Sequence, residues 1–251
     1  MSGIERVPVP VDRRVPSGRT NAYVVDTVLV DPAARCARLD GVGGIEHVVA
    51  THTHPDHVGA LARYAERNGA TVWAYAPYAD RFADATGVAP DRTYREGDSV
   101  GPLDVVATPG HAPDHVAFVC GDAALVGDCC RARGSTAIAD EGDLRAYLTS
   151  LRRLYARDPG TLYPGHGDPI DRPRERLAAV VAHRRERDRD VRAAVAGGAR
   201  TVPEIVEAVY DRDLGAFRSL AAATVRAHLD KLVVEGRVTR EETPDGPRYR
   251  A

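Results

Sequence analysis

Short apolar runs separated by turn-forming residues dominate the first two thirds of the chain. Ala22-Tyr23-Val24-Val25 and Val28-Leu29-Val30 are β-rich runs that meet around Asp26-Thr27, which predicts a hairpin over 20–31. Further short strands are predicted at 47–50, 71–75, 104–107, 116–119, 123–126 and 161–163. Helical spacing lies between them. Over 58–68, Val58, Leu61, Ala62, Tyr64 and Ala65 recur at helical intervals and Gly69 stops the run. A short helix is predicted over 78–86, ended by Gly87. Over 144–156, Leu144, Tyr147, Leu148, Leu151 and Tyr155 share one face, and Asp158-Pro159-Gly160 closes the helix.

From about Arg174 the pattern changes. Residues 174–196 interleave Arg with Asp and Glu, which reads as a long helix with a solvated face laced by i,i+4 pairs. Thr201 is placed to cap an apolar helix that runs through Tyr210. A second helix is predicted over 217–235, with Leu220, Val225, Leu229, Leu232 and Val233 inward and Gly236 closing it. Residues 237–240 and 247–250 then pair as a hairpin across Asp245-Gly246. Helices followed by a hairpin resemble a winged helix. Nucleic acid is one partner for such a module. Packing or dimerisation is the other, since Glu235, Glu241, Glu242 and Asp245 offset Arg218, Arg226, Arg237, Arg240, Arg248 and Arg250.

The chemistry concentrates where predicted strands end. Thr51-His52-Thr53-His54-Pro55-Asp56-His57 carries three histidines and a carboxylate within six residues. His52 and His54 leave an extended backbone on the same side, and Pro55 disfavours helix before it. Thr108-Pro109-Gly110-His111, Val126-Gly127-Asp128 and Tyr163-Pro164-Gly165-His166-Gly167 each follow an apolar run. Imidazole and carboxylate together suit a divalent transition metal, zinc first. Seven such donors make two metals the natural count.

H-x-H-x-D-H, Gly-His, Gly-Asp and Pro-Gly-His-Gly, in this order, resemble the metallo-β-lactamase superfamily. The resemblance implies an αββα sandwich with its site along one edge of two sheets. It implies one metal on His52, His54 and His111, a second on Asp56, His57 and His166, and Asp128 bridging them. Two zinc ions are expected, with manganese or iron as alternatives. In that family an aspartate at the position of Asp31 supports the ligands from behind; a strand-ending Asp-Pro turn is the other reading. His115 is expected behind the ligands, as the set is complete without it. With the C-terminal module, and with Asn21-Ala22-Tyr23-Val24-Val25, Gly127-Asp128-Cys129 and Ala182-His183-Arg184, the chain resembles the β-lactamase-like protein 2 branch. Residues 1–172 are expected to form the catalytic domain, 174–196 a connector and 197–251 the winged helix.

Composition narrows this picture only slightly. A net charge of −2 over 251 residues argues against a whole-protein grip on nucleic acid or membrane. No run approaches the roughly 20 apolar residues of a membrane span. Residues 1–14 are polar and lack the apolar core of a secretory signal, so a cytoplasmic protein is expected. Cys36, Cys120, Cys129 and Cys130 show no C-x-x-C spacing and read as reduced thiols. Cys129 and Cys130 follow Asp128 and are expected to pack as small buried hydrophobes.

The expected activity is hydrolysis by a hydroxide held between two metals, which depress its pKa to about 7. Asp128 bridges the metals and Asp56 orients the hydroxide. The expected substrate is a small thioester, ester or lactone, as for hydroxyacylglutathione hydrolase. A metal-dependent endoribonuclease on single-stranded RNA is the alternative, with Arg131 or Arg133 holding phosphates and clustered arginines beside the metal edge. A DNA-binding regulator with a relic metal domain is a third reading, opposed by the intact ligand set. A homodimer is possible.

Overall fold

The computed structural model describes every residue except 1, 2, 13, 14, 16, 17, 140, 212 and 213, and the side chain at 216. In chain order the elements are β1 (Ile4–Pro10), β2 (Arg19–Val25), β3 (Val28–Val30), α1 (Ala37–Asp40), β4 (His47–Val49), α2 (Pro55–Val58), α3 (Leu61–Asn68), β5 (Thr71–Tyr75) and α4 (Ala79–Thr86). Next come β6 (Arg92–Tyr94), β7 (Ser99–Val100), β8 (Leu103–Ala107), β9 (Val116–Cys120), β10 (Ala123–Gly127), α5 (Leu144–Arg157) and β11 (Thr161–Pro164). The chain ends with α6 (Pro173–Ala196), α7 (Val202–Val209), α8 (Arg218–Val234), β12 (Thr239–Thr243) and β13 (Gly246–Arg250).

Two sheets face each other, one ordered β1-β2-β3-β4-β5-β6 and the other β11-β10-β9-β8-β7. Their strands are buried on both sides, so alternate residues serve different layers. Tyr23 and Val25 of β2 join Val49, Val116, Phe118 and Leu125 between the sheets. Ala22 and Val24 of the same strand face the other way, against Leu39, Leu61, Tyr64 and Phe82. On the second sheet Ala117, Ala124 and Val126 meet Leu144, Leu148 and Leu151 of α5 and Leu177 and Val180 of α6. This is an αββα sandwich, followed by a winged helix whose core gathers Val191, Val195, Ile205, Val225, Leu229 and Tyr249.

Several sequence expectations change in the structure. Ile4–Pro10, within a stretch for which the sequence predicts no element, forms strand β1, paired antiparallel with β2. Its Val-Pro steps disguise it, yet an edge strand tolerates proline. Of residues 1–14, those at 1, 2, 13 and 14 lie outside the described residues. The helix expected over 58–68 is two pieces, because the chain closes against the loop after β3 at Gly59. A Cβ on Gly59 would stand 2.5 Å from the Ala33 carbonyl oxygen. In α5 it is Leu154 that turns inward; Tyr155 is exposed, with Arg174 4.1 Å over its ring. Leu220 is also exposed, Ala221 taking the inward position. The last hairpin turns one residue earlier, with Thr243 opposite Gly246.

The largest correction concerns α6. It is not a solvated helix: Leu177, Val180, Arg184, Asp188, Val191 and Val195 form a buried stripe against α5 and α8. Its two charged positions are partnered. Arg184 donates to the Thr136 carbonyl, and Asp188 accepts from His228 at 2.6 Å and from Lys231, the one lysine of the chain, at 2.7 Å. Among the described residues no helix is long and apolar enough to cross a membrane.

α7 begins with a capping box in which the Thr201 hydroxyl accepts from the Glu204 N–H and the Glu204 carboxylate accepts from the Thr201 N–H. Thr201→Ala is expected to cost about 1 kcal/mol of stability, read by chemical denaturation, with bound metal unchanged.

Candidate metal centre

Four strand ends on one edge of the sandwich deliver the chemistry. β4 leads into Thr51 to His57, β8 into His111, β10 into Asp128 and β11 into His166. Main-chain bonds stitch the two sheets there. The Val116 N–H donates to Thr51 O and the Asn21 N–H to Gly165 O, both at 2.7 Å. Close approach explains two glycines. A Cβ on Gly165 would lie 2.6 Å from His57 Cε1 and 2.9 Å from Asp128 Oδ1. One on Gly127, at φ 44°, would lie 2.4 Å from the Thr51 hydroxyl.

Donor atoms of His52, His54 and His111 lie within 4.8 Å of one another, and so do those of Asp56, His57 and His166. Asp128 stands between the two sets. Its Oδ2 is 3.6 Å from His111 Nε2, and its Oδ1 is 3.4 Å from His166 Nε2 and 3.8 Å from His57 Nε2.

Each of the five imidazoles spends one nitrogen on a protein group outside the centre. His57 Nδ1 meets Asp31 Oδ2 at 2.9 Å, His111 Nδ1 meets Ala137 O at 2.8 Å, and His166 Nδ1 meets Arg19 O at 2.8 Å. His54 Nε2 meets Glu141 Oε1 at 2.6 Å. His52 Nδ1 meets the Thr51 hydroxyl at 3.1 Å; that hydroxyl donates to Asp31 Oδ2 and therefore accepts from the ring. These partners assign a proton to the outward nitrogen of each ring, which leaves the inward nitrogens of His52, His54 and His111 as lone pairs. The inward nitrogen of His166 faces Asp56 and Asp128 and keeps a proton until a cation displaces it.

The inward lone pairs converge. His54 Nδ1 is 2.9 Å from both His52 Nε2 and His111 Nε2. His57 Nε2 is buried with no hydrogen-bond partner. Lone pairs facing lone pairs beside carboxylates repel one another unless a cation sits among them. The donor set, nitrogen and carboxylate oxygen only, suits a borderline divalent ion. The residues therefore fit a metal.

His115, by contrast, has both nitrogens engaged. Its Nε2 accepts from the Asp128 N–H at 3.1 Å and its Nδ1 faces the Thr108 hydroxyl at 2.8 Å. It orients Asp128 from behind. Asp31, at φ 52°, accepts from the Thr51 N–H and hydroxyl as well as from His57. Arg131 turns back to the carbonyl of Ser135, and Arg133 is exposed; neither is brought to the metal edge by a contact. Cys129 and Cys130 are buried in the apolar cluster under the second sheet.

Sequence reasoning missed four side chains that position this centre, besides the Ala137 and Arg19 carbonyls. Thr51 links Asp31 to His52. Glu141 backs His54, and Arg81 joins Glu141 at 2.9 Å to Asp114 at 3.3 Å and to the Thr53 hydroxyl at 2.8 Å. Asp114 Oδ2 accepts from the Thr53 N–H at 2.9 Å. Only Thr51, inside the motif, carried a local signal.

Protonation follows the charges. Burial lowers the pKa of His52, and the neighbouring imidazoles lower it further. Burial opposes ionisation of Asp128, but His166, His57 and His111 around it hold the carboxyl far below the usual range. Burial likewise disfavours an imidazolium at His166, yet Asp128 and Asp56 push it up to about 10.

Residues 15–166 match the family described as Metallo-beta-lactamase superfamily, and residues 201–246 match the Beta-lactamase associated winged helix domain. A β-lactamase-like protein 2 homolog of Caenorhabditis elegans is 30% identical over 201 residues, covering 76% of this chain and 66% of that protein. An atrochrysone carboxyl ACP thioesterase of Aspergillus fumigatus is 29% identical over 225 residues, covering 77% of this chain and 69% of its own. The chain thus spans about two thirds of the length of these relatives. A solved metallo-β-lactamase family protein from Thermus thermophilus superposes with a TM-score of 0.78 at 26% identity, over 99% of this chain and 98% of that one.

Two outcomes are expected. Asp31→Ala removes the acceptor that fixes His57 and Thr51, and should weaken metal binding roughly tenfold or more, read by chelator competition. In the metal-free protein His166 is charged and its pKa lies above the unfolded value of about 6.5. Its contribution to stability is then complete below that value and lost as pH rises through about 10. Thermal melts from pH 6 to pH 10 should show that decline, and zinc added at pH 8 should release protons measurable by calorimetry in buffers of different ionisation enthalpy.

Proposed function

Because the chain belongs to the metallo-β-lactamase superfamily and is a metal-dependent hydrolase, we propose that it opens a small thioester, ester or lactone with two divalent cations, zinc first. The observation that carries this reading is the convergence of five inward imidazole nitrogens on two carboxylates. His52, His54 and His111 would hold one cation, Asp56, His57 and His166 the other, with Asp128 shared. When bound, the cations supply Lewis acidity and a water made acidic enough to ionise near neutral pH.

The chain's own residues do the rest. Asp128, held from behind by His115, keeps the two sets in register. Asp56, whose Oδ2 is 3.3 Å from His166 Nε2, orients the attacking water. Asp31 and the Ala137 and Arg19 carbonyls keep the ring lone pairs pointing inward. No serine or cysteine nucleophile is required, and burial raises the thiol pKa of Cys129 and Cys130, which leaves both protonated.

Charge favours a small substrate over RNA. Arg81, the arginine at the rim, is engaged by Asp114 and Glu141. In the winged helix Arg218 pairs with Glu207, Arg240 with Glu242 and Arg250 with Glu241. Interleaved acids lower the positive potential that a phosphodiester backbone would meet there. A thioesterase among the relatives supports the same choice. RNA cleavage remains the second reading, carried by the winged helix itself.

The zinc-loaded protein should hydrolyse acyl thioesters and leave labelled single-stranded RNA intact. Asp128→Ala should lower the thioester rate by at least about 10²-fold, with circular dichroism unchanged. RNA cleavage that the variant abolishes would reverse the assignment.

A further inference from the structure

Between β10 and α5 the chain passes behind the metal centre, and two ligand imidazoles lean on this passage. Ala137 O accepts from His111 Nδ1, and Glu141 accepts from His54 Nε2. Ile138 anchors the passage in the apolar layer under the second sheet. Three of its carbonyls are held from outside by α6. Arg176 donates from Nε to Arg131 O at 2.7 Å and from Nη2 to Gly134 O. Arg184 donates from Nη2 to Thr136 O, the carbonyl immediately before Ala137.

Arg184 is an odd choice for stability alone. It is only 2% exposed, in a stripe whose other members are Leu177, Val180, Val191, Val195 and Asp188, the last paired with His228 and Lys231. A buried guanidinium carries a desolvation cost that an apolar side chain of similar volume avoids. What the guanidinium adds is directed N–H donors. Here they are aimed at the backbone one residue from the acceptor of a metal-facing histidine. Arg176 and Arg184 lie after residue 166 and before residue 201, outside both matched family segments. The long helix between the two domains therefore reaches the chemistry of the first.

We propose that Arg176 and Arg184 are positioning residues for the His52, His54 and His111 set. They hold residues 131–137 so that the Ala137 carbonyl meets His111 Nδ1 and turns the opposite nitrogen to the cation. This rests on the reading of those imidazoles as metal ligands. A role limited to fastening α6 onto the sandwich would change stability but not the affinity of one ion relative to the other.

The test is zinc titration of the full chain against a chromophoric chelator, for the parent, Arg176→Gln, Arg184→Met and His111→Ala. Melting of the metal-free proteins is followed alongside. Arg176→Gln and Arg184→Met should each weaken one of two zinc ions about tenfold or more and leave the other at the parent's affinity. His111→Ala should weaken the same ion further. Parent affinity for both ions in Arg176→Gln overturns the proposal; that residue is half-buried, so its variant keeps the test open if Arg184→Met does not fold. Equal weakening of both ions also overturns it, since that marks general loosening. Parent affinity in His111→Ala would show that the ligand reading itself has failed.

Discussion

The direction of each imidazole lone pair in this protein is set by what the other nitrogen of the same ring is bonded to. Asp31, Thr51, Ala137, Glu141 and Arg19 take the outward protons. The inward nitrogens are then obliged to face one another, with His54 Nδ1 2.9 Å from two neighbours. Without a cation this arrangement is repulsive, and only the rigid scaffold holds it. A cation entering there relieves the repulsion and contributes its binding free energy to the fold.

The sandwich is suited to that task because its strands are buried on both faces and end together at one edge. The donor side chains stand within a few residues of fixed strand ends, and the two sheets are tied across that edge by main-chain bonds from Val116 and Asn21. Glycines at 127 and 165 let β10 and β11 approach the donor side chains more closely than any Cβ would allow. The outer helices then seal the sheets, and α6 extends from the sandwich into the core of the winged helix through Val191 and Val195.

What could be read in the sequence was local. In H-x-H-x-D-H the extended backbone pairs His52 with His54 and Pro55 opens the short helix that carries Asp56 and His57, and the histidines and aspartate after later apolar runs announce themselves by glycine neighbours. Strands β2 to β5 and β8 to β11 were visible as short apolar runs, whereas β6 and β7, only three and two residues long, were not. Other parts depended on partners far along the chain. Strand β1 hides behind Val-Pro steps that only an edge position accommodates. The buried face of α6 hides because Arg184 and Asp188 occupy positions where periodicity expects aliphatic residues. Glu141 and Arg81 are 60 residues apart, and their pairing beside His54 has no sequence signature. Ala137 acts through its carbonyl, which no residue type announces.

Anomalous diffraction from a zinc-soaked crystal tests the account most directly. Two peaks should appear, one among His52, His54 and His111 and one among Asp56, His57 and His166, with Asp128 between them. A single peak with Asp128 turned away, or zinc bound by His115, would contradict it.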